Sequence, residues 1–337
     1  VYTLTNAGYI KRLPVSTYRS QRRGGRGVSA QSLREEDFVE TVFTASTHDY
    51  ILFFTNYGKV YRQKGYMIPE AGRTAKGTNI INLLPIEQGE KVSAMLHLRE
   101  FPENRYLVMV TRNGTVKRMR FTELRNIRSV GIRALNLVDD DELISVHETD
   151  GTDNILIVTR NGMAICFRET DVRPMGRNAG GVRGIKLREG DFCVAAAIAH
   201  EGRALLSVTE NGFGKRTPIE EYLRGSEDEN APRTPQNRGG IGLKNYNITE
   251  KTGPVAAAKV VDEDDDILLL SDDGTIIRMA VSDISVYGRA TQGVVLMRLS
   301  EGARVISLAR VDKEDDTEDS EDTQDTQTAE EAQTSEN

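Results

Sequence analysis

The sequence has no tryptophan, only two cysteines and four histidines, and nine prolines in 337 residues. Cys166 and Cys193 lie inside strand-like segments, so we expect buried, reduced thiols of a cytosolic protein rather than the alternative, a disulfide. The histidines lack zinc-ligand spacing. No apolar run reaches the roughly 18 residues of a membrane helix. Neither a Walker-type loop nor a nucleophile–base constellation is visible, so we predict no catalytic residue, no metal and no cofactor in this chain.

Charge is distributed unevenly along the chain. The formal net charge is −7, but residues 312–337 contain twelve Asp/Glu and one Lys. The first 311 residues therefore carry 43 Lys/Arg against 39 Asp/Glu. This asymmetry predicts a mildly basic body at 1–311 and a disordered acidic tail at 312–337. The acidic runs Asp139–Glu142 and Asp262–Asp266 precede strand-like segments and indicate solvated turns rather than cation sites.

A unit of about 50 residues recurs six times. Each unit starts with a short apolar run that ends in Thr or Ser, followed by two residues and a glycine. These hairpin glycines are Gly8, Gly58, Gly114, Gly162, Gly212 and Gly274. An arginine follows four residues later in five units: Arg12, Arg62, Arg118, Arg216 and Arg278. Each of these arginines could be structural, bonding turn carbonyls or covering apolar surface, or could contact a ligand.

A second glycine closes a loop in each unit. We place it at Gly27, Gly77, Gly131, Gly181, Gly240 and Gly293. The fifth spacing is longest because of an insertion, Arg224–Pro235. An apolar residue returns six positions later, at Leu33, Leu83, Leu137, Leu187, Tyr246 and Leu299.

Each unit is interpreted as four strands. In the second unit these are Ile51–Thr55, Lys59–Gln63, Ile80–Leu84 and Lys91–Leu98. One such unit leaves apolar faces open, so the units must pack on one another. Six units predict an all-β, propeller-like ring of blades. We expect the first run, Val1–Thr5, to complete the last blade beside Arg304–Val311 and so to close the ring.

The loop of the first unit is an anion-binding segment in chemical terms. It reads Gln21-Arg22-Arg23-Gly24-Gly25-Arg26-Gly27, with Arg19 just before it. Arginine forks match phosphate oxygens, and glycines let the backbone approach a phosphate closely. Without an anion, four close positive charges would repel one another. The alternative is a flexible Arg/Gly segment with no fixed partner.

This segment, called the box below, resembles the seven-residue box that marks the C-terminal domain of gyrase A subunits and that usually has Lys where this chain has Arg26. The resemblance covers the six repeats, the box and the acidic tail. It implies a six-bladed β-pinwheel, whose blades exchange strands, and a non-catalytic domain that wraps duplex DNA so that gyrase can introduce negative supercoils. It also implies a monomeric domain in a bacterial, cytoplasmic, nucleoid-associated protein. Besides duplex DNA, the partners would be the N-terminal part of the same A subunit, together with the B subunit of an A2B2 holoenzyme, where ATP and Mg²⁺ are used.

The other units carry weaker versions of the box. We number the six segments loop 1 (the box) to loop 6; loops 2 to 6 are Ala71–Gly77, Arg125–Gly131, Met175–Gly181, Gln236–Gly240 and Gly288–Gly293. Equivalent points on a ring would form a curved basic track for DNA. The predicted DNA-binding residues are Arg19, Gln21, Arg22, Arg23, Gly24, Gly25, Arg26, Gly27, Arg73, Lys76, Arg128, Arg177, Arg238 and Arg289.

Two alternatives remain open. A propeller-like adaptor could use the same basic loops to bind an acidic protein. A topoisomerase IV-type C-terminal domain would have the same blades, but such domains typically lack an intact box and should not wrap DNA strongly. Outside the box, each loop arginine could instead be structural.

Overall fold

The computed structural model describes residues 1–5, 7–17, 28–29, 39–138, 140–200, 202–225 and 231–311. The box, Arg19 and the acidic tail lie outside these ranges. Within them the chain forms 24 strands and seven short 3-10 helices, and it has no α-helix. The 3-10 helices are Val15–Thr17, Gly65–Met67, Ile80–Asn82, Phe121–Leu124, Glu169–Asp171, Ile219–Tyr222 and Val281–Asp283.

The strands make six four-stranded antiparallel sheets, one for each blade of a ring. This confirms the predicted all-β, six-bladed fold. Three long strands of each blade come from one repeat unit. From the inner edge outward, blades one to six are Val39–Phe43, Tyr2–Thr5 and Tyr9–Arg12; Val92–Leu98, Tyr50–Thr55 and Lys59–Lys64; Leu143–Thr149, Tyr106–Thr111 and Thr115–Arg120; Cys193–Ala199, Asn154–Thr159 and Met163–Arg168; Val255–Val261, Ala204–Thr209 and Phe213–Pro218; Val305–Val311, Asp266–Ser271 and Thr275–Ala280.

The fourth, outermost strand of each blade has only two residues and comes from a different unit. In blade one it is Thr78–Asn79, supplied by the second unit and paired with Tyr9 and Ile10. The corresponding strands of blades two to five are Ile132–Arg133, Val182–Arg183, Leu243–Lys244 and Val294–Val295. This is the exchange expected of a pinwheel. It also corrects the predicted strand Ile80–Leu84, because the chain leaves the neighbouring blade there and turns into the 3-10 helix Ile80–Asn82.

The ring closes differently from the prediction. Val28–Ser29, from the first unit, pairs with Thr275 and Ile276 and supplies the outer strand of blade six. Tyr2–Thr5 lies instead in blade one, between Val39–Phe43 and Tyr9–Arg12. The proposed pairing of Val1–Thr5 with Arg304–Val311 is therefore wrong. Each blade thus receives its outermost strand from the unit that follows it, and blade six receives its own from the first unit in the same way.

The apolar core is divided among the blade interfaces. Six clusters of buried side chains each join residues of two adjacent blades. Phe54 and Met119 meet between blades two and three, and Leu206 and Ile277 between blades five and six. Cys166 and Cys193 are free, buried thiols, as predicted. Since each blade covers its neighbours, stacking supplies the burial that a single unit lacks.

The inner strands of all six blades surround a central cavity of about 890 Å³. The outer edge of the ring is formed by the exchanged strands and by the loops that lead into them. No helix in the described part of the chain is long and apolar enough to cross a membrane.

Candidate nucleic-acid interface

The described rim loops, 2 to 6, occupy equivalent places at the outer edge of the ring. Each ends at its second glycine, and the chain then enters the exchanged strand of the preceding blade, as Gly77 does before Thr78–Asn79. The glycine is required there, since Gly77 has φ +88° and a Cβ on it would lie 2.6 Å from the carbonyl oxygen of Ile10. The backbone of every loop is thus set against the blade before it.

The same geometry corrects the register of loop 5. Gly242 has φ +76°, and a Cβ on it would lie 2.3 Å from the carbonyl oxygen of Ala164. Gly240 has no positive φ, and a Cβ there would meet nothing closer than Ile165 Cδ1 at 3.8 Å. Gly242, rather than Gly240, is therefore the second glycine, and loop 5 is Gln236–Gly242. With this register Ile248 becomes the apolar residue six positions later, instead of Tyr246.

Corrected in this way, loop 5 matches the box more closely than any other loop. Its sequence, Gln-Asn-Arg-Gly-Gly-Ile-Gly, differs from the box at the second and sixth places, where Asn237 and Ile241 stand for arginines. Gln236 is buried, and its side-chain amide donates to the carbonyl of Tyr222 at 3.1 Å. Ile241 is 49% exposed. Loop 5 therefore keeps the glycine pattern of the box with fewer charges.

The predicted cations differ in their exposure to solvent and in their contacts with other side chains. Arg73 in loop 2 and Arg128 in loop 3 are exposed to solvent. Lys76 is partly buried, and its Nζ lies 3.7 Å from the ring centroid of Tyr9. A groove of about 510 Å³ between loops 3 and 4 is lined by both Arg128 and Arg177. Glu123 lines the same groove, with its Oε2 4.0 Å from Arg177 Nε, so the two guanidiniums there are partly offset by one carboxylate.

Two predicted arginines link successive loops around the rim. Arg238 Nη1 donates to the carbonyl of Arg183 at 2.5 Å, and Arg289 Nη1 donates to the carbonyl of Lys244 at 2.9 Å. Arg183 and Lys244 are each the second residue after the closing glycine of the preceding loop. Arg238 Nε also donates to the carbonyl of Asp171 at 3.1 Å. These bonds give Arg238 and Arg289 a structural part, while the Nη2 group of each can still act as a donor.

Sequence reasoning missed a further set of rim cations. Arg133, Arg183 and Lys244 lie on the exchanged strands of blades two, three and four, and all three are exposed. Their common place, two residues after the second glycine, was a usable signal. It is visible in the fifth unit only after the register is moved to Gly242.

Most hairpin arginines have the structural role that was left open. Arg12 Nε donates to the carbonyl of Ile68 at 2.8 Å, and Arg216 Nε donates to that of Ile284 at 2.6 Å. Arg278 Nε lies 2.8 Å from Asp266 Oδ2, with both side chains buried. These guanidiniums bind the chain's own carbonyls or a buried carboxylate, so we assign them a structural role rather than a contact with a ligand.

Three lysines are fully buried beneath the rim, at the third position after the hairpin glycine in units one, three and five. They are Lys11, Lys117 and Lys215. Burial lowers the pKa of Lys11 and of Lys117 to about 8 and that of Lys215 to about 7. Sequence reasoning missed them because a lysine in a hairpin strand normally indicates a solvent-exposed position.

One acidic cluster within the described ranges brings Asp150, Asp153 and Glu169 together. Glu169 is fully buried; it accepts hydrogen bonds from Thr149 Oγ1 and from the backbone N–H groups of Gly151 and Asp153, and it lies 2.9 Å from Arg118 Nε. The cluster organises a turn.

Proteins of known family that are similar to this chain share its propeller architecture. A family profile described as "DNA gyrase C-terminal domain, beta-propeller" matches residues 1–46, 49–98, 105–150, 153–200, 204–226, 234–262 and 265–312. The DNA gyrase A subunit of Clostridium acetobutylicum is 47% identical over 315 residues, and that of Escherichia coli is 44% identical over 319 residues. Each alignment covers 94% of this chain but only 37% and 35%, respectively, of the relatives. The chain thus spans about a third of their length.

Solved structures agree. The structure of a DNA gyrase A C-terminal domain superposes with a TM-score of 0.81 at 28% identity, covering 92% of this chain and 98% of the other. A DNA topoisomerase IV C-terminal domain gives a TM-score of 0.69 at 26% identity, covering 92% of each chain. The six exchanged blades, the profile match along nearly the whole propeller and the gyrase relatives lead to one conclusion: this chain belongs to the DNA gyrase A C-terminal domain family of β-propellers.

Proposed function

We propose that this chain binds duplex DNA along its outer rim and wraps the duplex around the ring, as the DNA-wrapping domain of a gyrase A subunit. The supporting observation is the recurrence of cations at equivalent points of the rim, among them Arg73, Arg128 and Arg177. Contacts of this kind neutralise phosphates and position the duplex without reading bases. Successive contacts around a curved edge favour bent DNA.

The box would make the strongest of these contacts. It concentrates Arg22, Arg23 and Arg26 in one loop that has glycines at its fourth, fifth and seventh places. Arg26 replaces the lysine usual in the family but keeps the charge. Because guanidinium forks bind phosphate bidentately, we expect this change to preserve phosphate binding.

The parent protein would be the A subunit of an A2B2 DNA gyrase, an ATP-dependent type II topoisomerase of the bacterial cytoplasm. Its cleavage tyrosine, its Mg²⁺ and its ATP site would lie in the other parts of the holoenzyme, so this chain would contribute no catalytic residue. We propose that residues 1–311 form the monomeric wrapping domain. The acidic segment 312–337, with a net charge of −11, would compete with DNA for the same cations.

Salt dependence tests this function. Binding of the full chain to a linear duplex should weaken steeply as salt rises, with a log–log slope of about −0.9 per phosphate neutralised. The measurement is an affinity titration between about 50 and 200 mM salt, the range over which such contacts lose most of their strength. Binding that hardly changes over this range would contradict the proposal.

The topoisomerase IV-type domain is the alternative with specific support, since that fold also superposes at 26% identity. It predicts salt-sensitive binding with little wrapping. The intact box favours the gyrase function, and ligation of nicked circles on the domain separates the two. An adaptor for an acidic protein would show weak binding to DNA in the same titration.

A further inference from the structure

The three buried lysines share one set of contacts. Each points from the second hairpin strand of an odd-numbered blade into the rim loop of the next unit. Lys11 Nζ donates to the carbonyls of Gly72, Arg73 and Ala75 at 3.0, 2.6 and 2.9 Å. One ammonium group thus gathers three carbonyls of loop 2 around itself.

Lys215 likewise contacts the carbonyls of Gly288, Arg289 and Thr291, whereas Lys117 contacts one carbonyl of loop 4 and that of Ala134. Lys117 Nζ donates to the carbonyl of Arg177 at 2.7 Å, and Lys215 Nζ donates to that of Arg289 at 2.5 Å. In all three blades the acceptor common to the set is the carbonyl of the loop arginine, four residues before the closing glycine. These arginines, in loops 2, 4 and 6, are among the predicted DNA contacts.

An arginine next to each lysine holds the segment just before the loop. Arg12, Arg118 and Arg216 donate to the carbonyls of Ile68, Val172 and Ile284 at 2.8, 3.1 and 2.6 Å, respectively. Lys-Arg pairs at 11–12, 117–118 and 215–216 therefore fix loops 2, 4 and 6 at two points. The pairs recur about every hundred residues, which is two repeat units.

Packing alone does not require these lysines. The equivalent positions of blades four and six hold Ile165 and Ile277, both buried in blade-interface clusters. Burying an ammonium has a desolvation cost, which is why the pKa of each lysine is lowered. A costly cation that recurs three times at one place, always on the same backbone atom, indicates a role beyond filling space.

We infer that Lys11, Lys117 and Lys215 are positioning residues, each of which fixes the main chain of one loop arginine. Arg73, Arg177 and Arg289 would then meet phosphates of the DNA backbone from loops that are already ordered. This inference rests on the proposed DNA-wrapping function. A loop that is ordered before binding loses less conformational freedom when it meets a phosphate, so more of the contact energy remains to bend DNA.

A double-mutant cycle at loop 4 tests the inference. The variants are Lys117→Met, Arg177→Gln and the two combined, each made in the full chain. Arg177→Gln should make the log–log salt slope shallower by about 0.9, the loss of one phosphate contact. Lys117→Met should change the slope in the same direction although its buried Nζ contacts no DNA. The double variant should do no more than Arg177→Gln, because both changes remove one contact.

The matched control is Ile165→Met, at the equivalent position of blade four, which should leave the slope unchanged. Thermal unfolding of every variant verifies folding, and if Lys117→Met does not fold, the cycle is repeated with Lys11→Met and Arg73→Gln. Additive effects, or an unchanged slope in folded Lys117→Met, would overturn the inference while leaving DNA wrapping intact. An unchanged slope in Arg177→Gln would also overturn it at loop 4. Salt-insensitive binding by the unaltered chain would instead refute the proposed function.

Discussion

Loops 2, 4 and 6 are held in a different way from loops 3 and 5, although all five occupy the same place in the fold. The first set contains a Gly-Arg pair and is anchored by a buried lysine of the preceding blade. The preceding blades of loops 3 and 5 carry Tyr61 and Ile165 at the lysine position. In loop 5 the buried side-chain amide of Gln236 donates instead to the carbonyl of Tyr222, a residue of the same unit.

The difference shows that a rim loop can be ordered either by its neighbour or by its own residues. The box belongs with loop 5 by sequence, since the two share Gln at the first place, Arg at the third and Gly at the fourth, fifth and seventh. The blade before it in the ring, blade six, has Ile277 at the lysine position. We therefore expect the box to depend on its own arginines and glycines, and the lysine-anchored loops to depend on the adjacent blade.

The largest expected effect comes from removing the box charges. Replacing Arg22, Arg23 and Arg26 together with alanine should abolish the writhe trapped by ligation while leaving detectable, salt-sensitive binding. The other rim cations still neutralise phosphates, but bending DNA costs about 1–6 kcal/mol per 20–30 bp and needs every contact along the path. Topoisomer analysis after ligation of nicked circles measures the loss.

The control for that experiment keeps the charges. A variant with lysine at the same three places should retain much of the writhe, since phosphate neutralisation survives while bidentate geometry is lost. Full writhe in the alanine variant would show that the box is not the special contact, and it would remove the distinction between loop 1 and the lysine-anchored loops.

A smaller effect is expected from the glycines of loop 5, which test how a loop without a lysine is held. Gly242→Ala should destabilise the chain by about 1–3 kcal/mol, because it forces a Cβ onto a positive φ against a backbone oxygen. Gly240→Ala should stay within about 0.5 kcal/mol. Urea unfolding of the two variants measures the difference. Equal effects would contradict the corrected register of loop 5.

The smallest effect concerns pH and is expected only where a lysine is buried. Burial lowers the pKa of Lys215 to about 7, against 10.5 for the ordinary side chain. The nearby Glu221 raises it, whereas Arg289 and Lys244 lower it further. Between pH 7 and pH 10.5 the Lys215 side chain binds more protons in the unfolded chain than in the folded chain, so the free energy of unfolding should rise with pH.

Lys215→Met should remove part of that rise, and Ile277→Met, at the equivalent position of blade six, should not. Urea unfolding at pH 7, 8 and 9 compares the slopes. The same slope in Lys215→Met and in the unaltered chain would mean that the lysine is not desolvated as its burial indicates.

The sequence was sufficient to predict the ring because each hairpin turn requires a glycine, which therefore recurs once in every repeat unit. Gly58 and Gly114, with φ +70° and +85°, sit at tight turns where few other residues fit, so their spacing counts the blades. The family resemblance added the strand exchange. It did not identify the exchanged strands, because Thr78–Asn79 is too short for an alternating pattern and its partner lies in another unit.

The missed features share a physical cause, which is that they depend on contacts between units. Val28–Ser29 closes the ring with a strand about 250 residues away in sequence, so no local pattern marks it. The insertion in the fifth unit hid the true position of Gly242. Lys117 is polar in sequence and buried in the fold, and only the carbonyls that surround its ammonium group explain its burial.

The central claim, that this ring wraps DNA, is tested most directly by ligating nicked circular DNA in the presence of a saturating amount of the chain, residues 1–337, and then removing the protein. Wrapping predicts a shift of the topoisomer distribution that grows with the amount of bound chain and disappears at high salt. A distribution identical to that of DNA ligated alone, under conditions where binding is verified, would contradict the account.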